Sequence, residues 1–394
     1  MLNDLGLCGI ARLICNNNMA GIYIHIPFCK QACHYCNFHF STLLKYKEKL
    51  VWAIGKEISL RKSFLENHKI ETVYFGGGTP SILNEGELFS LIDSLNQSFD
   101  LSGVKEFTFE ANPDDLSPEY LAVLAKTPIN RLSIGVQSFF DEHLVWMNRA
   151  HKSREAIACI KRAQDLGLEN ISVDLIYGIP LLSNQQWEEN LQHIIDLDIK
   201  HVSAYCLTVE PKTALAKMID SKTVPNINEE QAGIQFDMLM KQMKHQGFEH
   251  YEISNFAKPG NFAIHNTNYW HGKHYLGLGP GAHSFKGNQR SWNISNNQLY
   301  VQGIESFEPK IETETLKENE LYNEYIMTSL RTQWGCDRSL VQTKFGSAFL
   351  KNLDQELKNE MLNGRVQLIN NAYVLTATGK FFADGIASSA FITE

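Results

Sequence analysis

The chain of 394 residues contains no run of about 20 consecutive apolar residues, the length a helix needs to cross a bilayer, so no transmembrane helix is expected. Positive charge is not in excess either. With 36 Lys and Arg against 44 Asp and Glu the net charge is -8, which removes the general electrostatic reason for binding nucleic acid or an anionic membrane surface. Internal repeats and low-complexity tracts are missing, and no G-x-G-x-x-G follows the first apolar segment, which argues against a dinucleotide-binding open sheet. The 8 cysteines form no dense disulfide framework. Cys8, Cys15, Cys159, Cys206 and Cys336 are scattered, a usage that fits a reducing compartment, the cytoplasm. Residues 1–18 lack the basic start, apolar core and small-residue cleavage site of a signal peptide. Met19 directly precedes the first strand-like run, so translation is expected to begin there and 1–18 to be an over-extended N-terminus.

What the sequence does have is three clustered cysteines, Cys29, Cys33 and Cys36, in the run Tyr-Ile-His-Ile-Pro-Phe-Cys-Lys-Gln-Ala-Cys-His-Tyr-Cys directly after that strand-like run. Thiolates at Cys-x3-Cys-x2-Cys spacing can wrap one loop around a cubane [4Fe-4S] cluster and leave one of its four irons without a protein ligand. The competing reading is structural zinc, which wants four closed ligands and would have to recruit His34, His39 or a distant cysteine.

Strand-like runs at 21–27, 72–75, 106–109, 131–136, 171–176 and 202–207 alternate with helical patterns at 43–65, 85–98, 118–125, 154–166, 185–197 and 229–246. Six such units predict an α/β fold, an incomplete (βα)6 TIM-like barrel over 19–248 whose chemistry gathers at the carboxyl ends of the strands. The polar residues obey that rule. The cysteine loop follows the first strand, Gly76-Gly77-Gly78-Thr79-Pro80 the second and Glu110 the third, while Gln137 ends the fourth, Asp174 lies in the fifth and Thr208 with Glu210 ends the sixth. Residues 249–310, rich in Gly, Asn and aromatics, read as loops that cover a site. Residues 311–394 read as a smaller, mainly helical, winged-helix-like domain with two short strands turned at Asn370-Asn371. Its 8 basic and 11 acidic residues lack the footprint for DNA, so it is read as a packing or partner-binding module.

Together these motifs resemble the radical S-adenosylmethionine (SAM) enzymes from about Ala20 to the C-terminus. The strings Gly-Gly-Gly-Thr-Pro, Gly-Val-Gln-Ser-Phe and Asp-Leu-Ile-Tyr-Gly-Ile-Pro are similar to the oxygen-independent coproporphyrinogen III oxidase group, which includes haem chaperones. The resemblance implies that S-adenosylmethionine chelates the open iron, with Gly77, Gly78 and Thr79 against its methionine end, Glu110 on the ribose hydroxyls and Arg149 on a carboxylate. It implies Tyr23, Tyr35, Gln137 and Asp174 at the other cofactor positions, with Thr208 and His283 as looser matches. Taken singly, each of these residues has a duller reading as a turn, cap or salt-bridge partner.

Two features separate the chain from the decarboxylating oxidases. Phe38 stands where those enzymes resemble a fourth cysteine, and a start at Met19 leaves only ten residues ahead of Cys29, where the oxidases resemble a longer segment. His265-Asn266-x-x-Tyr269-Trp270 resembles the haem-binding motif of the chaperones, which implies axial ligation of haem iron by His265 with Tyr269 and Trp270 on the porphyrin face. The duller reading of His265 is a satisfied structural histidine. The expectation is a haem chaperone that holds haem, a [4Fe-4S] cluster and S-adenosylmethionine and delivers haem to apoproteins such as respiratory enzymes. An electron donor, membrane association through clients and a homodimer are partners the resemblance leaves room for. The alternative is coproporphyrinogen III oxidase. A radical RNA-modifying enzyme is a third reading, disfavoured by the lack of a basic tail and of a second cysteine cluster.

Overall fold

The computed structural model describes residues 18–393, so the expectation about the start of translation, with Cys8 and Cys15, lies outside the described residues. Six strands, β1 (Met19–Ile26), β2 (Lys69–Gly77), β3 (Glu106–Ala111), β4 (Arg131–Gln137), β5 (Ile171–Tyr177) and β6 (His201–Cys206), are parallel neighbours in sequence order. They form the incomplete barrel. Period-2 alternation sets their faces. In β1, Ile22, Ile24 and Ile26 are fully buried in the same core as Ala53, Ile54 and Ile58 of helix α1 (Lys47–Leu60), while Tyr23 and His25 point to the concave side.

The stretch read as covering loops is largely regular structure that widens the sheet. β7 (Glu249–Glu252) and β8 (Asn255–Ala257) add to the β6 side, and β9 (His274–Leu278), β10 (His283–Lys286), β11 (Gln289–Asn293) and β12 (Ile311–Thr315) add to the β1 side. β9 runs parallel to β1, with Gly21 opposite Tyr275. The result is one twelve-stranded sheet that takes in 311–315, residues the sequence reading assigned to the tail. The segment was missed because its strands are only 3–5 residues long and find partners far away in the chain.

The C-terminal module begins with helix α2 (Glu318–Leu330) and has its own core, built from Tyr322, Ile326, Leu353, Leu357 and Ile386. Its small sheet has the order β13 (Cys336–Asp337), β15 (Ala372–Leu375), β14 (Val366–Ile369). The β14–β15 hairpin turns on Asn370 and Asn371, both with positive φ, the backbone a tight two-residue turn demands.

Candidate cofactor site

The cysteine loop leaves β1 at its carboxyl end and is pinned at both sides. Ser41 N donates to Pro27 O (2.8 Å) and Cys29 N to Ser41 O (3.1 Å), while His34 N bonds Met147 O (3.2 Å) and its Nδ1 bonds Trp146 O (2.8 Å). Cys29, Cys33 and Cys36 are free and half-buried. Burial, together with the fields of the other cysteines, pushes the Cys29 thiol up to about 11, and burial also raises that of Cys36. A cationic centre among them would draw the protons off, as metal binding to thiols does. Two sulfurs already receive donors: Thr79 Oγ1 lies 3.4 Å from Cys29 Sγ and Arg149 Nη1 lies 3.4 Å from Cys33 Sγ. Such bonds orient thiolate ligands and tune an iron-sulfur cluster, so the residues present fit that group. Among the described residues no three His, Cys, Asp or Glu side chains converge on a single-ion site.

The glycine loop is explained by close approach. A Cβ on Gly77, whose φ is +107°, would stand 2.3 Å from His25 Nδ1, and one on Gly78 would stand 2.7 Å from Phe28 O and 2.8 Å from Ile26 O. The loop therefore lies directly under the cysteine loop. Gly77 N donates to Glu110 Oε2 (3.1 Å), and Tyr74 OH donates to Oε1 (2.6 Å). Burial raises the Glu110 carboxyl above its usual range. Burial, reinforced by Glu110, pushes Asp174 up to about 7, with Ser133 Oγ at 3.4 Å from its oxygens. Gln137 ends β4 with φ +65°, a left-handed conformation uncommon for a residue with a side chain. Tyr23 OH bonds His25 Nδ1 (3.0 Å), and Tyr35 sits beside Arg149 and Cys33.

Arg149 differs from the expectation of a guanidinium open to a carboxylate. Nη2 is spent on Asn112 Oδ1 (2.6 Å) and Gly135 O (2.8 Å), and only the buried Nε is left without a protein partner. Thr208 is exposed and bonds Glu210 (3.3 Å), and His283 stands on β10, two strands away from β1. Sequence reasoning missed Tyr74, Asn112 and His25. Their signal was strand alternation, which puts Tyr74 on the same face as Gly76 and His25 on the same face as Tyr23.

His265 sits at the opposite end of the barrel from the cysteine loop. The helix Ile264–Trp270 enters the barrel from the amino-terminal end, its first amides capped by Glu106, which accepts from Ile264 N (2.7 Å) and His265 N (2.8 Å). The imidazole is 2% exposed. Its Nδ1 bonds Thr72 Oγ1 (2.8 Å), its Nε2 bonds Tyr269 OH (2.8 Å), and the Tyr74 ring packs 5.0 Å away. Both nitrogens of the imidazole are thus hydrogen-bonded inside the barrel. Tyr269 bonds His265 through its hydroxyl, and both Tyr269 and Trp270 lie on the wall of a large cavity.

That cavity, of 1230 Å³, lies along the concave side of the sheet. Tyr23, His25 and His39 line the end near the cysteine loop, Trp270 and His283 the β9–β10 side, and Tyr325 the C-terminal module. It exceeds the roughly 300–1,000 Å³ usual for sites that bind drug-sized ligands.

Residues 23–194 match the model of the radical SAM superfamily. The heme chaperone HemW of Bacillus subtilis is 34% identical over 382 residues, covering 95% of this chain and all of the relative. HemW of Escherichia coli is 33% identical over 268 residues, covering 66% of this chain and 69% of the relative. Among solved structures, coproporphyrinogen III oxidase (HemN) of Escherichia coli superposes with a TM-score of 0.83 over 98% of this chain and 94% of that one, at 21% identity, a likeness of fold. The chain therefore belongs to the radical SAM superfamily, whose members hold a [4Fe-4S] cluster and S-adenosylmethionine, and within it to the family of the HemW haem chaperones.

Proposed function

We propose that the protein binds haem and delivers it to haem-requiring apoproteins, respiratory enzymes among them, in the cytoplasm. The observation that carries this reading is the concave-face cavity, which has room for a porphyrin and reaches Tyr23 and His25 at the cofactor end of the barrel. In this reading Cys29, Cys33 and Cys36 ligate the cluster. Gly77, Gly78 and Thr79 admit the methionine end of S-adenosylmethionine, Glu110 and Asp174 face its hydroxyl and amino groups, and Tyr23, Tyr35 and Gln137 line the rest of its site. Arg149 acts chiefly on Cys33, through the bond from its Nη1. When bound, cluster and cofactor supply an electron and a cleavable sulfonium. The residues around them set burial and orientation, and the neighbouring Tyr23 and His25 link that site to the cavity, so cofactor occupancy can gate haem loading.

Phe38 stands 69% exposed at the position of the oxidases' fourth cysteine, and this favours the chaperone over the oxidase. A titration of anaerobically reconstituted protein with haem, followed at the Soret band, tests the reading, and saturable binding is expected. Incubation with coproporphyrinogen III, reductant and S-adenosylmethionine separates the two classes. Formation of protoporphyrinogen would overturn the chaperone reading in favour of the oxidase.

A further inference from the structure

We propose that Asn148 is a positioning residue for the cysteine loop, and that the turn 146–149 to which it belongs is a template that shapes residues 31–34 before any cluster is bound. This rests on ligation of the cluster by Cys29, Cys33 and Cys36, as read above. Consecutive residues of the turn meet consecutive residues of the loop. Trp146 O and Met147 O accept from Nδ1 and N of His34 (2.8 and 3.2 Å), Asn148 Nδ2 donates to Ala32 O (2.7 Å) while its Oδ1 accepts from Gln31 Nε2, and Arg149 Nη1 reaches Cys33 Sγ (3.4 Å). The loop does little to hold itself. Between residues 29 and 36 the one backbone–backbone bond among the described residues is Cys36 N to Cys33 O (3.3 Å), and the other ties lead outward, Cys29 N to Ser41 O, Lys30 Nζ to Asp114 Oδ2 (3.0 Å) and Leu215 N to His34 O (2.8 Å).

The template is itself fixed. Met147 is fully buried, Asn148 N bonds Val145 O (3.0 Å), Arg149 N bonds Leu144 O (2.8 Å), and His151 Nε2 bonds Val136 O (3.0 Å) at the end of β4. Asn148 follows the helix Asp141–Trp146 with φ +59°, the left-handed conformation that closes helices and that glycine adopts at least cost. Glycine would serve the turn alone equally well. What asparagine adds is an amide whose donor and acceptor are both spent on the cysteine loop. A slack loop must be ordered as its ligand binds, and that entropy is subtracted from the affinity, whereas a loop shaped beforehand avoids the loss. Ala32 adjoins Cys33, so the same bond keeps Cys33 Sγ within reach of Arg149, and donors to ligating sulfurs raise the reduction potential of an iron-sulfur cluster.

The test compares the full-length protein with Asn148→Gly, which keeps the turn and removes both side-chain bonds, and with Asn67→Gly, the same change at an exposed turn of φ +69°. In the cluster-free protein Asn148→Gly is expected to speed amide hydrogen exchange in the peptide spanning 29–36 by about three- to tenfold while the rest of the chain exchanges as in wild type. After anaerobic reconstitution it is expected to lose iron to a chelator faster by a similar factor and to show a lower midpoint potential, and Asn67→Gly is expected to match wild type in all three measurements. The proposal is overturned if Asn148→Gly behaves as wild type, if Asn67→Gly changes equally, or if exchange quickens evenly along the whole chain, the mark of a merely destabilised fold. Full iron and sulfide content in each of Cys29→Ser, Cys33→Ser and Cys36→Ser would bring down the ligation reading itself, a result separate from those.

Discussion

Several imidazoles are buried where charge is expensive, and this gives the protein an acid limit. Burial lowers His25 and His151 to about 4, and His250 and His265 to about 3. In an unfolded chain the same rings titrate near 6.5, so below that pH the unfolded state takes up protons that the folded state refuses. The stability they allow is complete above about pH 6.5 and is lost as pH falls toward their folded pKa values, at about 1.4 kcal/mol per pH unit for each group. Asp174 has the opposite sign. Raised to about 7, it favours the fold below its unfolded value and loses that contribution as pH rises through 7. Burial raises the Glu110 and Glu252 carboxyls in the same sense, but the four imidazoles outweigh these carboxyls, so the urea midpoint is expected to fall steeply between about pH 6 and 4.5. His250→Phe, which keeps a ring against Phe256 at 4.0 Å, should flatten that fall; equal slopes for variant and wild type would show that His250 is not part of the cause.

At the scale of elements, one carboxylate ties helix α1 to the added strands. Glu57 is fully buried and accepts from Arg61 Nη1 (3.2 Å), Gly279 N (2.8 Å), Asn293 Nδ2 (2.8 Å) and Tyr300 OH (2.6 Å). Arg61 in turn reaches Gly277 O (3.0 Å) and Ser284 Oγ (3.2 Å). Glu57→Ala would strand the Arg61 charge and three donors, so a loss of about 3–5 kcal/mol in urea unfolding is expected. A loss below 1 kcal/mol would mean that water reaches the site and replaces the carboxylate. The glycine loop is the second junction of elements. Gly78→Ala puts a methyl against the backbone of the cysteine loop, and it should lower iron and sulfide content per chain on reconstitution more than Gly86→Ala, a change on a helix surface with only Asn84 Oδ1 at 3.5 Å. Equal iron content in the two variants would separate the glycine loop from cluster assembly.

At the scale of the whole molecule, the cavity exists because two units meet: the concave face of the widened sheet and the C-terminal module that closes it. Haem bound there should slow amide hydrogen exchange in α2 and in β9–β10 together, and protection confined to one of the two would place haem elsewhere. The sequence by itself determined the barrel strands, the cysteine loop and the order of polar residues at the strand ends, because period-2 alternation and short-range spacing are local properties of the chain. The hairpin at Asn370-Asn371 was legible for the same reason, since a tight turn is set by its own residues. Only the tertiary structure decided the rest. The short strands of 249–310 acquire their pairing from β1 and β6. The bonds of His265 come from Thr72, 193 residues away, and its helix cap from Glu106, 159 residues from His265. No local pattern shows whether an imidazole among aromatics has a nitrogen to spare, because that depends on which distant side chains the fold brings against its two edges.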